Sequence, residues 1–445
     1  MLWRLICATV RFHTESSSTG DKLSNIVVGL DIGTSFIRCV IGQLDEENHM
    51  QVIGAAKKPS KGLRNGVIVN IDAAVSAIKE TLEAAELMAG VIVTSVFTAI
   101  GGSQVEGRSS SSGVAVDTTK HNRRMEISDD TKDRAIESAR AIVIPLGKQT
   151  LHVIPQEYKI DEIPGYKEPV GSLGVRLDVS VYIVTASITA CSNLDLCVKR
   201  AGLNLDGVML KTLAASIATL HEEEMELGSI LIDLGADSTD VMVIYKGSPT
   251  YITSIPVGGN FVTNDIVQVK GIPFADAEQI KVNSGCCWIE GSEADEEVII
   301  REIGARPAEQ TTRYELCEII QPRMEEIMSM AKREVVLHSG LKQLNGSIVL
   351  TGGGALMPGA VQLAQSVWRT TSVRVGECPD MGRLPDTNSY FYRSCDFATV
   401  TGLMLANKKN ASKEKSRRVR VRRDDENSIA EGVGTKIKTF FKKFF

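Results

Sequence analysis

From Ile26 to Leu30 the chain is apolar and β-branched, and it breaks at a polar turn, Asp31-Ile32-Gly33-Thr34-Ser35. It resumes from Ile37 to Leu44 and, after Asp45 to His49, continues from Met50 to Ala56. Short apolar runs bounded by turn residues predict buried strands. The same pattern returns at Ser229 to Ile232, followed by Asp233-Leu234-Gly235-Ala236-Asp237-Ser238, Val241 to Tyr245, a Lys246-Gly247 turn and Tyr251 to Val257. Two similar α/β halves are implied. Later, Ser347 to Leu350 opens into Thr351-Gly352-Gly353-Gly354, with a helix predicted from near Pro358, since proline suits a first helical turn.

Helical spacing appears elsewhere. Thr311 to His338 repeats apolar residues at close to a 3.6 period (Leu316, Ile319, Ile320, Ile327, Met328, Ala331, Val335, Val336), which predicts a helix that Pro322 kinks or restarts. Ser128 caps a predicted helix from Asp129 to Ile142, and the runs at 151–160 and 176–184 read as strands. Residues 407–427 are charged and nearly devoid of apolar side chains, which predicts a tether without fixed structure. Beyond it, Val433, Ile437, Phe440, Phe441, Phe444 and Phe445 fall on one helical arc, while Lys436, Lys438, Lys442 and Lys443 occupy the other.

Composition narrows the class. The 445 residues are 43% apolar and 24% charged with a mean hydropathy near zero, the balance of a soluble globular protein of two to four folding units by length. No run reaches the roughly 18 apolar residues of a spanning helix. The nine cysteines lack C-x-x-C spacing and read as reduced core thiols of a cytoplasmic protein. Residues 1–25 read as a linker-like extension, or as the product of a start codon placed too early. The net charge of −5 is unevenly spread: residues 408–445 carry +8 and the rest −13. A basic tail on an acidic body points to an anionic partner. Lysines opposite phenylalanines suit the interface of an anionic bilayer, whereas nucleic acid would leave the rings in water. Docking of the tail onto the body is the alternative.

The turns suggest phosphate chemistry. Gly33 and Gly235 let the backbone bend sharply, and the hydroxyls of Thr34, Ser35 and Ser238 with neighbouring N–H groups can donate to phosphate oxygens. Asp31 and Asp233, one from each half, can hold a hydrated Mg²⁺. Plain hairpin turns and a flexible glycine loop remain the alternatives for these segments. Neither G-x-x-x-x-G-K-[ST] nor a post-strand G-x-G-x-x-G occurs, which sets aside the P-loop and dinucleotide folds.

The three glycine turns resemble the phosphate-1, phosphate-2 and adenosine signatures of the actin-like ATPase superfamily. Within it, GLDIGTS (29–35), LHVIPQEYKID (151–161), PVGSLGVRL (169–177), IPVGGNFVTNDI (255–266), AEQIK (277–281) and VLTGGGALMPG (349–359) resemble the FtsA family of bacterial cell division. The resemblance implies a two-lobed actin-like fold, a duplicated ribonuclease-H-like α/β architecture, with an inserted α/β subdomain and a C-terminal amphipathic helix. The implied divisions are a first-lobe core at 26–103 and 179–226, the insertion at 104–178, and a second-lobe core at 227–258 and 335–407. A smaller second-lobe subdomain that reads as helical spans 259–334, with a basic linker at 408–428 and the membrane-targeting helix at 429–445.

By the same resemblance, the ligand is ATP with Mg²⁺. Gly33, Thr34 and Ser35 face the β-phosphate, Gly235 and Ser238 the γ-side, and Asp31 and Asp233 the metal. Gly258, Gly259 and Asn260 form a second-lobe phosphate contact, Glu278 and Lys281 hold the ribose, and Gly352, Gly353, Gly354 and Met357 hold the adenine. Glu278 and Lys281 also read as an ordinary i,i+3 pair. The implied partners are FtsZ at the smaller second-lobe subdomain, further copies in a head-to-tail polymer, later division proteins at the insertion, and anionic lipid at the cytoplasmic face of the inner membrane. Rival readings are a pilus-assembly type of membrane-associated actin-like protein and a small-molecule kinase of the same fold.

Three positions depart from the family pattern. Phe36 replaces a lysine, so a phosphate charge partner is missing unless Arg38 reaches in. Asp237 puts a carboxylate where phosphate oxygens should lie. Lys211 occupies the place of the Glu or Gln that positions the attacking water, and a charged lysine is a poor base. Weak or absent hydrolysis is expected, with Lys211 and Asp237 attracting each other across the cleft.

Overall fold

The computed structural model describes residues 25–116, 125–289, 295–300, 308–340, 346–384 and 389–407. The expected basic linker, the expected C-terminal amphipathic helix and the extension up to residue 24 lie outside them. In the first half, β1 (Ile26–Ile32), β2 (Phe36–Leu44) and β3 (Met50–Pro59) form an antiparallel meander. A small hairpin of β4 (Leu63–Arg64) and β5 (Val67–Ile68), helix α1 (Ile71–Ala89) and β6 (Ser95–Ile100) follow. Asn70 caps α1 through the Ala73 N–H, and Gly90 ends it in the left-handed conformation that glycine adopts freely.

An inserted unit comes next: β7 (Val105–Ala115), β8 (Met125–Glu126), α2 (Asp129–Arg140), β9 (Lys148–Ile160), β10 (Ile163–Tyr166), β11 (Leu173–Gly174) and β12 (Arg176–Ser187). Its main sheet runs β10-β9-β12-β7, and Ala135 and Ala139 of α2 pack with Val153, Tyr158, Val179 and Val181. Helix α3 (Ile188–Arg200), β13 (Asn204–Leu210) and α4 (Lys211–Thr219) return to the first half.

The second half opens with α5 (Glu222–Leu227), β14 (Ser229–Leu234), β15 (Thr239–Tyr245) and β16 (Ser248–Ile255). It continues with α6 (Gly259–Lys270), α7 (Phe274–Ser284), β17 (Glu297–Ile300), β18 (Glu309–Thr312) and α8 (Arg313–His338). After these come β19 (Ile348–Thr351), α9 (Ala360–Trp368), β20 (Val373–Val375) and α10 (398–407).

The duplication extends to topology. The first sheet, β3-β2-β1-β6-β13, and the second, β16-β15-β14-β19-β20, share order and direction, each with two antiparallel pairings followed by two parallel ones. Asp31 pairs with Arg38 in one sheet as Asp233 pairs with Asp240 in the other. Helix α10 lies back against the first half, so closely that a Cβ on Gly29 would meet Val400 O and one on Gly402 would meet Ala214 O. Phe97, Leu213, Leu231, Met242, Val400 and Met404 share one buried core across both halves.

Four local expectations change. Helix α2 stops at Arg140, two residues short of Ile142. The segment expected to be helical also holds the β17–β18 hairpin, and α8 begins at Arg313 because Thr312 caps it through the Glu315 N–H. Pro322 does not restart α8: Cys317, Ile320, Met324, Ile327 and Met328 hold one buried face through the exposed proline. The helix expected near Pro358 begins at Ala360. Gly359 is left-handed (φ 86°) against Trp288, and the Pro358 carbonyl accepts the Cys287 N–H at 2.9 Å.

Candidate functional site

The two halves meet at a cleft whose cavity measures about 300 Å³. Its floor is a pair of matching turns. Gly33 N–H donates to Phe36 O at 3.2 Å, and Gly235 N–H donates to Ser238 O at 3.0 Å. A Cβ at either glycine would lie 2.7 Å from that same acceptor, so only glycine permits the turn. Residues of both turns line the space between the halves.

The third glycine turn closes the far side. Gly352 is left-handed (φ 81°), with a Cβ position against Asp233 Oδ1 and 2.6 Å from Leu234 O, whereas nothing lies within 4 Å of a Cβ on Gly353. The backbone is thus pressed onto β14 at one residue and open to the cavity at the next. Leu356, Met357, Pro358, Val282 and Met324 supply an apolar wall there, of the kind that lines small-molecule sites.

Of the residues nominated in the described part of the chain, Gly258 alone does not line this cavity. It caps α6, with a Cβ position 2.6 Å from Gly235 O. The first N–H groups of that helix are also engaged: Gly259 donates to Gly235 O at 2.9 Å and Asn260 to Ala236 O at 2.7 Å. The helix start supports the second turn. Lys281, nearly buried, donates to Glu278 at 2.7 Å, Thr263 Oγ1 at 2.8 Å and Gly259 O at 3.0 Å, tying α7 to α6.

Charge beside the two Asp-x-Gly turns differs from the expected pattern. Lys211, first in α4, lies 3.5 Å from Asp233 Oδ2 rather than beside Asp237. Burial opposes its charge, but Asp233, Asp31 and Asp240 outweigh burial and push its pKa up. Burial raises the Asp240 carboxyl, against the pull of Lys211, with Asp233 adding to the rise. Arg38 does reach the cavity, but its guanidinium donates to Asp396 at 2.9 Å and lies 3.9 Å from Asp31. Lys57 joins it, 2.7 Å from Asp396 and 4.4 Å from the Phe36 ring centroid. Burial would raise the Asp396 carboxyl, yet Arg38 and Lys57 bring it down to about 2.

Among the described lining residues, four cations (Arg38, Lys57, Lys211, Lys281) face six carboxylates (Asp31, Asp233, Asp237, Asp240, Glu278, Asp396). Asp233 Oδ2 is buried without a hydrogen-bond partner. An excess of carboxylates over cations, and an Asp233 Oδ2 that has Lys211 at 3.5 Å but no hydrogen bond, fit a divalent cation shared with phosphate oxygens and water, which needs only one or two protein carboxylates. Lys57, Asp240 and Asp396 carried no signal in the sequence, since each lies outside the glycine turns. Arg38 was read only as a substitute cation.

Two family descriptions match this chain: "Cell division protein FtsA" over residues 230–402 and "SHS2 domain inserted in FTSA" over 102–185. The cell division protein FtsA of Borreliella burgdorferi is 42% identical over 345 residues, 77% of this chain and 83% of that protein. Among solved structures, a PilM-PilN type IV pilus biogenesis complex superposes with a TM-score of 0.60 at 18% identity, over 85% of this chain and 97% of that one. MreB5 of Spiroplasma citri bound to ADP superposes with a TM-score of 0.51 at 14% identity, over 88% and 98%. At those identities the two structures attest the actin-like fold alone.

Proposed function

The chain belongs to the FtsA family of cell-division proteins, and from that premise we propose that it is an ATP-binding, actin-like subunit that tethers FtsZ filaments to the cytoplasmic membrane at the division site. The observation that carries the nucleotide reading is the cleft, in which two equivalent Asp-x-Gly turns face each other and a third glycine turn opens against an apolar wall. In this reading Gly33, Thr34 and Ser35 contact the β-phosphate, while Gly235 and Ser238 contact the γ-side. Asp31 and Asp233 would hold Mg²⁺, which supplies charge neutralisation to the phosphates when bound. Glu278 and Lys281 would orient the ribose beside Gly352, Gly353, Gly354 and Met357 at the adenine.

The membrane anchor is residues 429–445, with Ile437 and the four phenylalanines entering the acyl boundary and the lysines at anionic headgroups. FtsZ contact falls to the smaller second-lobe subdomain, and self-association to the insertion. Flotation with anionic vesicles, FtsZ filaments and Mg-ATP tests the tether. The full chain is expected to carry FtsZ into the vesicle fraction, and deletion of residues 434–445 to leave both proteins behind. FtsZ remaining in the pellet while the full chain floats would refute tethering.

A further inference from the structure

The β4–β5 hairpin turns on Asn65 and Gly66, both left-handed (φ 51° and 71°), as a tight two-residue hairpin of the I′ type requires. Gly66 N–H donates to Thr34 Oγ1 at 3.1 Å, and Asn65 N–H donates across the cleft to Asp237 Oδ2 at 2.7 Å. The other carboxylate oxygen, Asp237 Oδ1, accepts from Asn260 Nδ2 at 2.6 Å. The Asp237 carboxylate is therefore an anion seated between donors from both halves, in the turn assigned above to the γ-phosphate. No ion pair reaches it among the described residues, because Lys211 lies on Asp233 while Arg38 and Lys57 lie on Asp396.

We propose that Asp237 is a specificity-determining residue that stands in for the terminal phosphate, so that the cleft takes a nucleoside diphosphate in preference to a triphosphate. The inference rests on the nucleotide-binding reading and deepens it. A triphosphate must either lie against this carboxylate in a cavity already richer in carboxylates than cations, or displace it from the Asn65 and Asn260 donors. A diphosphate leaves the clasp in place, and like charges close together in a partly desolvated cleft repel strongly.

The test is competition by ADP and by ATP for a fluorescent ADP analogue on the full-length chain with Mg²⁺. The wild type is expected to bind ADP at least tenfold more tightly than ATP, about 1.4 kcal/mol. Asp237→Asn, which removes the charge, and Asp237→Ser, which removes charge and reach, are each expected to bring the ratio within threefold. Analogue binding by each variant confirms that it is folded. A wild-type ratio near one overturns the inference whatever the variants do, as does a tenfold preference that persists in a folded variant, while the nucleotide reading stands in both cases. No displaceable nucleotide binding by the wild type would overturn that reading itself.

Discussion

Lys211 shows how far a single residue can be read. Its replacement of an amide or carboxylate was visible in the sequence, and so was the chemical consequence: an ammonium offers protons and accepts none. Its partner was not visible. Asp237 and Asp233 sit four residues apart in one turn, and only the pairing of β14 with β15 decides that Asp233 and Asp240 face α4 while Asp237 faces the hairpin. Because the carboxylates raise the Lys211 pKa, the ammonium persists well above neutrality. Phosphate release at saturating Mg-ATP is expected to stay below roughly a hundredth of the ~10 per second typical of enzymes, with no acceleration from pH 7 to 9.5. A steady-state phosphate assay checks this, and turnover near 10 per second would contradict it.

At the scale of elements, the strands flanking the three glycine turns were legible because short apolar runs between turn residues have few alternatives, whereas the β17–β18 hairpin was not. Helix ends were less legible. A proline marks a favourable first turn, but Pro358 is committed to Cys287 and Gly359 to a left-handed turn, contacts made by distant chain. Pro322 is expected to kink or restart the helix, yet α8 continues through it over 26 residues, from Arg313 to His338. The helix there forgoes one backbone hydrogen bond while packing preserves its course. Pro322 is exposed, so Pro322→Ala restores a donor without disturbing the core. It is expected to stabilise the fold by about 1–3 kcal/mol, read as a higher urea midpoint, and a lower midpoint would show that the proline's geometry is required.

For the whole molecule, the insertion is stitched to both halves. Tyr182 of β12 accepts the Ile252 N–H of the second half at 2.9 Å, and His152 Nε2 of β9 accepts the Leu210 N–H of the first at 3.0 Å. Complete burial brings the His152 pKa down to about 4. An unfolded histidine protonates near 6.5, so below that pH the unfolded chain binds a proton that the fold refuses. Stability is therefore full above pH 6.5 and falls by about 2 kcal/mol between pH 7.5 and 5. Asp396, held near 2, contributes its loss only below the ordinary carboxylate range. Urea midpoints at the two pH values check this, and His152→Gln, an acceptor that does not titrate there, is expected to flatten the difference. The sequence by itself determined the duplication, the three glycine turns and the family, because these depend on local backbone demands and on short motifs that survive without knowledge of their neighbours. Only the tertiary structure decided which cation meets which carboxylate, that Asn65 clasps Asp237 across the cleft, and that Gly258 props a turn instead of lining the cavity. Those outcomes depend on strand register and on contacts between segments far apart in the chain, which no local pattern encodes.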